Sequence, residues 1–140
     1  MFQNQRRLYP VLIYVLLIFA VSSFPSLKAP GPSFALKDKI AHTAEYFVLG
    51  LLLFRGVGWT VSRSRTATLG FLVSVGVSVA ALDEIYQSFI PGRMMSVYDW
   101  YADALGVVIG VGLFMYAARR DRSRSEDGKS EWPASEGKPT

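Results

Sequence analysis

The chain has 140 residues, enough for one domain, and 51% of them are hydrophobic with a mean hydropathy of +0.26, high for a water-soluble domain of this size. The absence of cysteine excludes a disulfide framework, a thiolate nucleophile and cysteine-bound zinc, and a single histidine limits any metal site to one imidazole plus carboxylates. The net charge of +4 comes from basic clusters flanking apolar runs, with no basic face interleaved with aromatics, so membrane orientation accounts for it better than nucleic-acid binding.

Four apolar segments follow one another, and each is too long for a strand. Residues 8–24 are nearly continuous Leu, Ile, Val, Phe and Ala, close to the minimum that crosses a bilayer core. The same run carries marks of a cleavable leader: Arg6 and Arg7 ahead of it, and the small-residue site Ala20-Val21-Ser22 near its end. The connection SLKAPGPSFALKD breaks the helix with prolines and a glycine. Residues 40–59 are the second predicted span, with His42 and Glu45 at its start. Residues 67–89 are the third, with Asp83, Glu84 and Gln87 in the last two turns, and Pro91-Gly92 stops it. Residues 98–118 are the fourth, with Asp99 and Asp103 near the beginning. The expected architecture is therefore all-α: a polytopic membrane protein with four transmembrane helices packed as a bundle over residues 1–118. Residues 119–140, RRDRSRSEDGKSEWPASEGKPT, are poor in apolar residues and are expected to be a disordered tail.

Basic residues near the helix ends predict orientation. Arg6 and Arg7, then Arg55, Arg63 and Arg65, then Arg119, Arg120, Arg122 and Arg124 share one side, which the positive-inside rule makes cytoplasmic, along with both termini. The opposite side holds Lys28, Lys37, Lys39 and Arg93. In that topology every ionisable side chain within the spans falls in the outer half of the membrane. Spacings of three and four residues align His42 with Glu45, Glu84 with Gln87, Asp83 with Gln87, and Asp99 with Asp103. A charged side chain at the bilayer centre costs about 2.5–3.5 kcal/mol, so these groups are expected to face one another around a wet pocket.

Plainer roles compete with that reading. Ser96 and Asp99 form S-x-x-D, a capping box that would start the fourth helix. Arg93 could neutralise the acids or hold an anionic head group, and Tyr46, Tyr86, Trp100 and Tyr101 fit an interfacial aromatic belt as well as a lipid or sugar site. Glu84 points about 100° away from Asp83 around the helix, so the two acids are expected to face different neighbours. The GVVIG stretch from Gly106 to Gly110 is a small-xxx-small motif for close helix packing.

DKIAHTAEYFVLGLLL, followed by DEIYQSFIPGRMMSVYDWYADALGVVIG, resembles the VanZ-like family of small bacterial membrane proteins, named after an accessory protein associated with low-level teicoplanin resistance. The ordered pattern D-K-x-x-H, D-E-x-x-Q, G-R and D-x-x-x-(N/D)-x-x-G carries the resemblance. Position by position, it places the family signature on Asp38, Lys39, His42, Tyr46, Asp83, Glu84, Gln87, Arg93, Asp99 and Gly106. Asp103 departs from the pattern, which more often has asparagine there. The resemblance implies a protein of the bacterial cytoplasmic membrane and points to the cell envelope without supplying a reaction.

Three functional readings stand together. In the first, Lys39 and Arg93 attract a phosphate or carboxylate of an envelope component such as a lipid-linked wall precursor or phospholipid head group, while His42, Tyr46, Asp83, Glu84, Gln87, Asp99 and Asp103 orient it or move protons; His42, Asp83 and Glu84 are the candidate catalytic groups. In the second, Asp83, Glu84 and Asp99, with His42, hold a divalent cation in a membrane enzyme. In the third, the cluster fixes helix packing and function passes through a partner. A homo-oligomer is compatible with all three.

Overall fold

The computed structural model of the protein describes residues 6–25, 32–57 and 64–130, with 32–35 and 121–130 as backbone only. The described residues form four helices and no strand: α1 (Tyr9–Ser22), α2 (Pro32–Val57), α3 (Arg65–Gln87) and α4 (Val97–Ser130). Local chemistry explains the boundaries. Pro10 occupies the first turn of α1, where a missing N–H costs nothing, and Pro32 opens α2 for the same reason. This carries α2 eight residues ahead of the predicted start at Ile40. Ser64 caps α3 by accepting from the Ala67 amide. At the far end of α3 the chain turns through Phe89, Ile90 and Arg93 amides bonded to carbonyls three residues back, and Gly92 takes φ +80°, a conformation that an L side chain resists.

By length and composition, three helices can cross a membrane: Leu36–Val57, Arg65–Gln87 and Val97–Arg120. The four-helix, all-α bundle anticipated from the sequence is present, with one qualification. The first apolar run folds as a 14-residue helix, rising about 21 Å at 1.5 Å per residue, and is the short member of the set. It is nevertheless built into the bundle: Ile18 is fully buried, and the Tyr14 hydroxyl donates to the Glu45 carbonyl of α2 at 3.1 Å.

A second correction concerns the tail. Residues 119–130, expected to be disordered from their composition, continue α4 as helix to Ser130. Arginine, glutamate and lysine are good helix formers, Pro133 lies beyond the helix, and propagating an existing helix avoids the cost of nucleating a new one. The rest of the expected tail, 131–140, lies outside the described residues.

The bundle is inverted relative to a soluble protein. Leu12, Leu16, Ile40, Phe71, Leu82, Ile85, Leu105, Ile109 and Leu113 point outward, as a hydrocarbon solvent allows. Polar groups on that surface are satisfied within their own helix, as where the exposed Ser74 hydroxyl donates to the Gly70 carbonyl at 2.7 Å. Inside, each long helix buries a stripe at helical spacing: His42, Tyr46, Leu49 and Leu53 on α2; Leu72, Gly76, Ala80, Asp83 and Gln87 on α3; Asp99, Asp103, Val107 and Val111 on α4. Each stripe is apolar along most of its length and polar at one end. The start of α2, the end of α3 and the start of α4 bring the three polar ends to the same end of the bundle.

α2 and α4 run parallel with their backbones in contact. A Cβ at Gly50 would strike the Val107 carbonyl oxygen and Gly110, one at Gly106 the Thr43 carbonyl and Phe47 amide, and one at Gly110 the Phe47 carbonyl and Leu51 amide. The GVVIG motif thus does what small-xxx-small spacing predicts. Gly106→Ala and Gly110→Ala are each expected to destabilise the bundle by about 1–3 kcal/mol, because rigid backbone stands where the methyl must go. Gly112, with open space where its Cβ would be, should accept alanine without loss. Unfolding of the purified protein in mixed micelles by SDS titration checks the contrast.

Candidate functional site

The polar end of the bundle is assembled by cross-helix pairs. Lys39 and His42 lie one turn apart on α2, and Asp99 and Asp103 one turn apart on the neighbouring face of α4. The Lys39 ammonium pairs with the Asp99 carboxylate, and His42 Nδ1 lies 3.0 Å from Asp103 Oδ1. Below them the Thr43 hydroxyl donates to the Ala102 carbonyl at 3.2 Å. These contacts register the two helices residue by residue. Lys39 also reaches over the Tyr98 ring, 5.8 Å from its centre, a cation–π contact at the mouth of the cluster.

α3 contributes its acids in two directions, as the 100° step between neighbours requires. Asp83 Oδ2 accepts from Gln87 Nε2 at 2.9 Å, and the same amide nitrogen donates to the Ser22 hydroxyl of α1 at 3.2 Å. Glu84 Oε2 accepts from the Ser96 backbone amide at 2.7 Å, while the Ser96 hydroxyl accepts from the Asp99 amide at 3.3 Å. The predicted capping box therefore forms in half. Ser96 caps α4, but the reciprocal bond to the Ser96 amide comes from Glu84 of α3, which leaves the Asp99 carboxylate for Lys39.

Burial is nearly complete. Asp103 and Tyr46 are 0% exposed, Asp83 1% and Glu84 3%. Tyr46 is therefore no belt residue: its ring is fully buried in the core, one turn along α2 from His42. Among the described residues, four buried side-chain atoms have no hydrogen-bond partner: Tyr46 Oη, Asp83 Oδ1, Glu84 Oε1 and Asp103 Oδ2. An imidazole held through one ring nitrogen by a carboxylate is the arrangement that orients a general base, so His42 with Asp103 can move a proton.

Arg93 stands apart. The sequence reading turned it toward the acids, but its Nε donates to the Phe24 carbonyl at 3.1 Å, because the Gly92 turn directs it across the loop to the end of α1. The expected metal set is also rearranged. Among the described residues the ligand atoms that come within 4.8 Å of one another belong to Asp38, His42 and Asp99, or to His42, Glu84 and Asp103. Asp83 enters neither group, since its side chain runs along α3 to Gln87. Two participants escaped sequence reasoning. Ser22 was visible only as part of a small-residue site, and Ser96 was read as a helix cap with no view of the acid that would share it.

Beside the cluster, α2 and α4 enclose an open apolar groove of about 570 Å³. Leu36, Ile40, Phe47, Tyr101, Leu105 and Ile109 line it, and Lys39 and Tyr98 stand at its polar end. From Tyr98 to Ile109 it follows three turns of α4, about 16 Å at 1.5 Å per residue.

Neither the curated proteins nor the solved structures include a match to the chain. The family model described as VanZ/LLP1, however, matches residues 8–118, which take in α1, the cluster, the groove and the membrane-spanning part of α4. With its helices apolar outside and its signature residues gathered at one end, the chain belongs to the VanZ/LLP1 family of membrane proteins.

Proposed function

We propose that the protein sits in the bacterial cytoplasmic membrane with both termini in the cytoplasm, and that its polar end faces outward to bind an anionic, lipid-linked component of the cell envelope, lowering susceptibility to glycopeptides such as teicoplanin. The observation that carries this reading is the groove between α2 and α4, open to the lipid phase, with one cation, Lys39, at its polar end. Its apolar length suits an acyl or polyprenyl chain, and Lys39 lies where a phosphate would sit at the membrane interface. Asp99 holds Lys39 in place in the meantime, and an incoming phosphate would compete for it. The buried cluster then fixes the spacing of α2 and α4 and hence the width of the groove. The basic residues Arg6, Arg7, Arg55, Arg65, Arg119 and Arg120, all at the other end of the bundle, support the orientation.

Two measurements test this reading. Because the chain has no cysteine, single substitutions report topology cleanly. Met94→Cys, at an exposed position in the turn after α3, should react with a membrane-impermeant maleimide in intact cells, whereas Arg65→Cys, exposed at the start of α3, should react only after permeabilisation. The reverse pattern would invert the bundle and remove the outward site.

The second is teicoplanin susceptibility of cells expressing the wild type, Lys39→Ala or Asp83→Asn, with membrane abundance measured by immunoblot. Wild type should protect, and Lys39→Ala at equal abundance should fall to the level of the empty vector. Undiminished protection by Lys39→Ala would overturn the groove's role. Asp83→Asn keeps a hydrogen-bond acceptor for Gln87 and removes the charge, so a loss of membrane abundance in this variant would assign Asp83 to packing.

A further inference from the structure

We infer that the cluster is a binding site for one divalent first-row metal ion, of the manganese or zinc class, held by His42, Glu84 and Asp103. The inference does not depend on the lipid reading of the groove, because these three side chains lie inside the bundle while the groove is on its outer surface.

Charge balance opens the argument. Among the described residues, Asp99 has Lys39, while Asp103 meets only the His42 imidazole, and neither Asp83 nor Glu84 has a lysine or arginine side chain in contact. Arg93, the remaining basic residue at this end of α3, is turned to the Phe24 carbonyl. Unpaired ionised carboxylates this deep are costly, so the cluster is short of positive charge.

The second line is the orphaned atoms. Glu84 Oε1 and Asp103 Oδ2 belong to the metal-ligating trio, are buried, and accept no hydrogen bond. Native interiors pair such atoms, so two of them on neighbouring members of one cluster mark a missing partner. It has to satisfy several oxygen acceptors at once and supply positive charge, and a cation does both.

Geometry and donor type select its class. One imidazole nitrogen and two carboxylate oxygens lie within 4.8 Å of one another. Around an ion with bonds of ~2.1 Å, neighbouring ligand atoms stand roughly 3.0–3.4 Å apart and opposite ones ~4.2 Å, so side-chain adjustments can draw this trio onto one ion. A mixed nitrogen and oxygen set without thiolate suits manganese or zinc better than calcium, which takes six to eight oxygens. Glu84 already has its other oxygen anchored on the Ser96 amide, so this carboxylate is oriented from the far side as ligating carboxylates commonly are, and His42 Nδ1 and Asp103 Oδ1, 3.0 Å apart, already stand at the spacing of two neighbouring ligands.

The test uses the full chain purified in detergent, stripped with EDTA and titrated with Mn²⁺. Bound manganese is counted by elemental analysis, and its ligands are read by pulsed EPR. One Mn²⁺ per chain is expected, with a ¹⁴N coupling from His42, and affinity should fall at least tenfold in Glu84→Gln and in Asp103→Asn. Glu45→Gln, on the same helix as His42 but outside the trio, should bind as the wild type does. Absence of stoichiometric Mn²⁺ and Zn²⁺, a bound ion without nitrogen coupling, or unchanged affinity in folded Glu84→Gln would each overturn the site. If the acid variants fail to fold, the nitrogen coupling in the wild type decides alone: its presence supports the site and its absence overturns it. Lys39→Ala separates the two proposals, because it should lower teicoplanin protection while leaving manganese stoichiometry at one.

Discussion

The backbone contact between α2 and α4 is the constraint on which the rest of the molecule hangs. Gly50, Gly106 and Gly110 let the two helices meet without intervening side chains, and that approach fixes their axial register. Once register is fixed, Lys39 meets Asp99, His42 meets Asp103 and the Thr43 hydroxyl meets the Ala102 carbonyl, partners some sixty positions apart in the chain. In a bilayer such packing has to come from van der Waals contact and interhelical hydrogen bonds, since lipid tails are as apolar as leucine and burying leucine gains little. The glycines supply the first and the polar pairs the second. α3 and α1 then close over an arrangement already defined by two helices.

Function and stability are hard to separate in such a molecule, and the cluster shows why. His42, Asp99 and Asp103 hold α2 to α4, Glu84 ties α3 to the start of α4, and Gln87 ties α3 to α1. Glu84, Asp99 and Asp103, acids that could serve a ligand, each also carry an interhelical contact. The orphaned oxygens are what separate the two roles. A network selected only to lock helices would have little reason to leave the buried Glu84 Oε1 and Asp103 Oδ2 without partners.

Much of this was legible in the amino-acid sequence, because membrane helices announce themselves by apolar length and the bilayer penalises stray charge. The four helices, the gathering of polar ends and the glycine seam all follow from periodicity along single segments. What could not be read concerns relations between segments. Asp83 and Glu84 were known to diverge, yet only the register of α4 shows that Glu84 meets the Ser96 amide while Asp83 stays on its own helix with Gln87. Tyr46 looked interfacial because tyrosines usually are, and the packing of α3 and α4 over it put it in the core. Arg93 was open to two readings, counter-ion to the acids or holder of an anionic head group, and its Nε instead donates to the Phe24 carbonyl beyond the left-handed turn at Gly92. Helix α4 outran its apolar stretch because hydropathy marks where a helix leaves the membrane, not where it ends.

The shortness of α1 has a consequence for the surrounding lipid. A helix rising about 21 Å stands in a hydrocarbon layer of ~30 Å, while its neighbours are long enough to match that layer. Acyl chains beside α1 must shorten or splay, at a cost of a fraction of a kcal/mol for each ångström of mismatch. In a layer of that thickness the flank at α1 would be the thin side of the protein and the flank of the longer helices the full-height side.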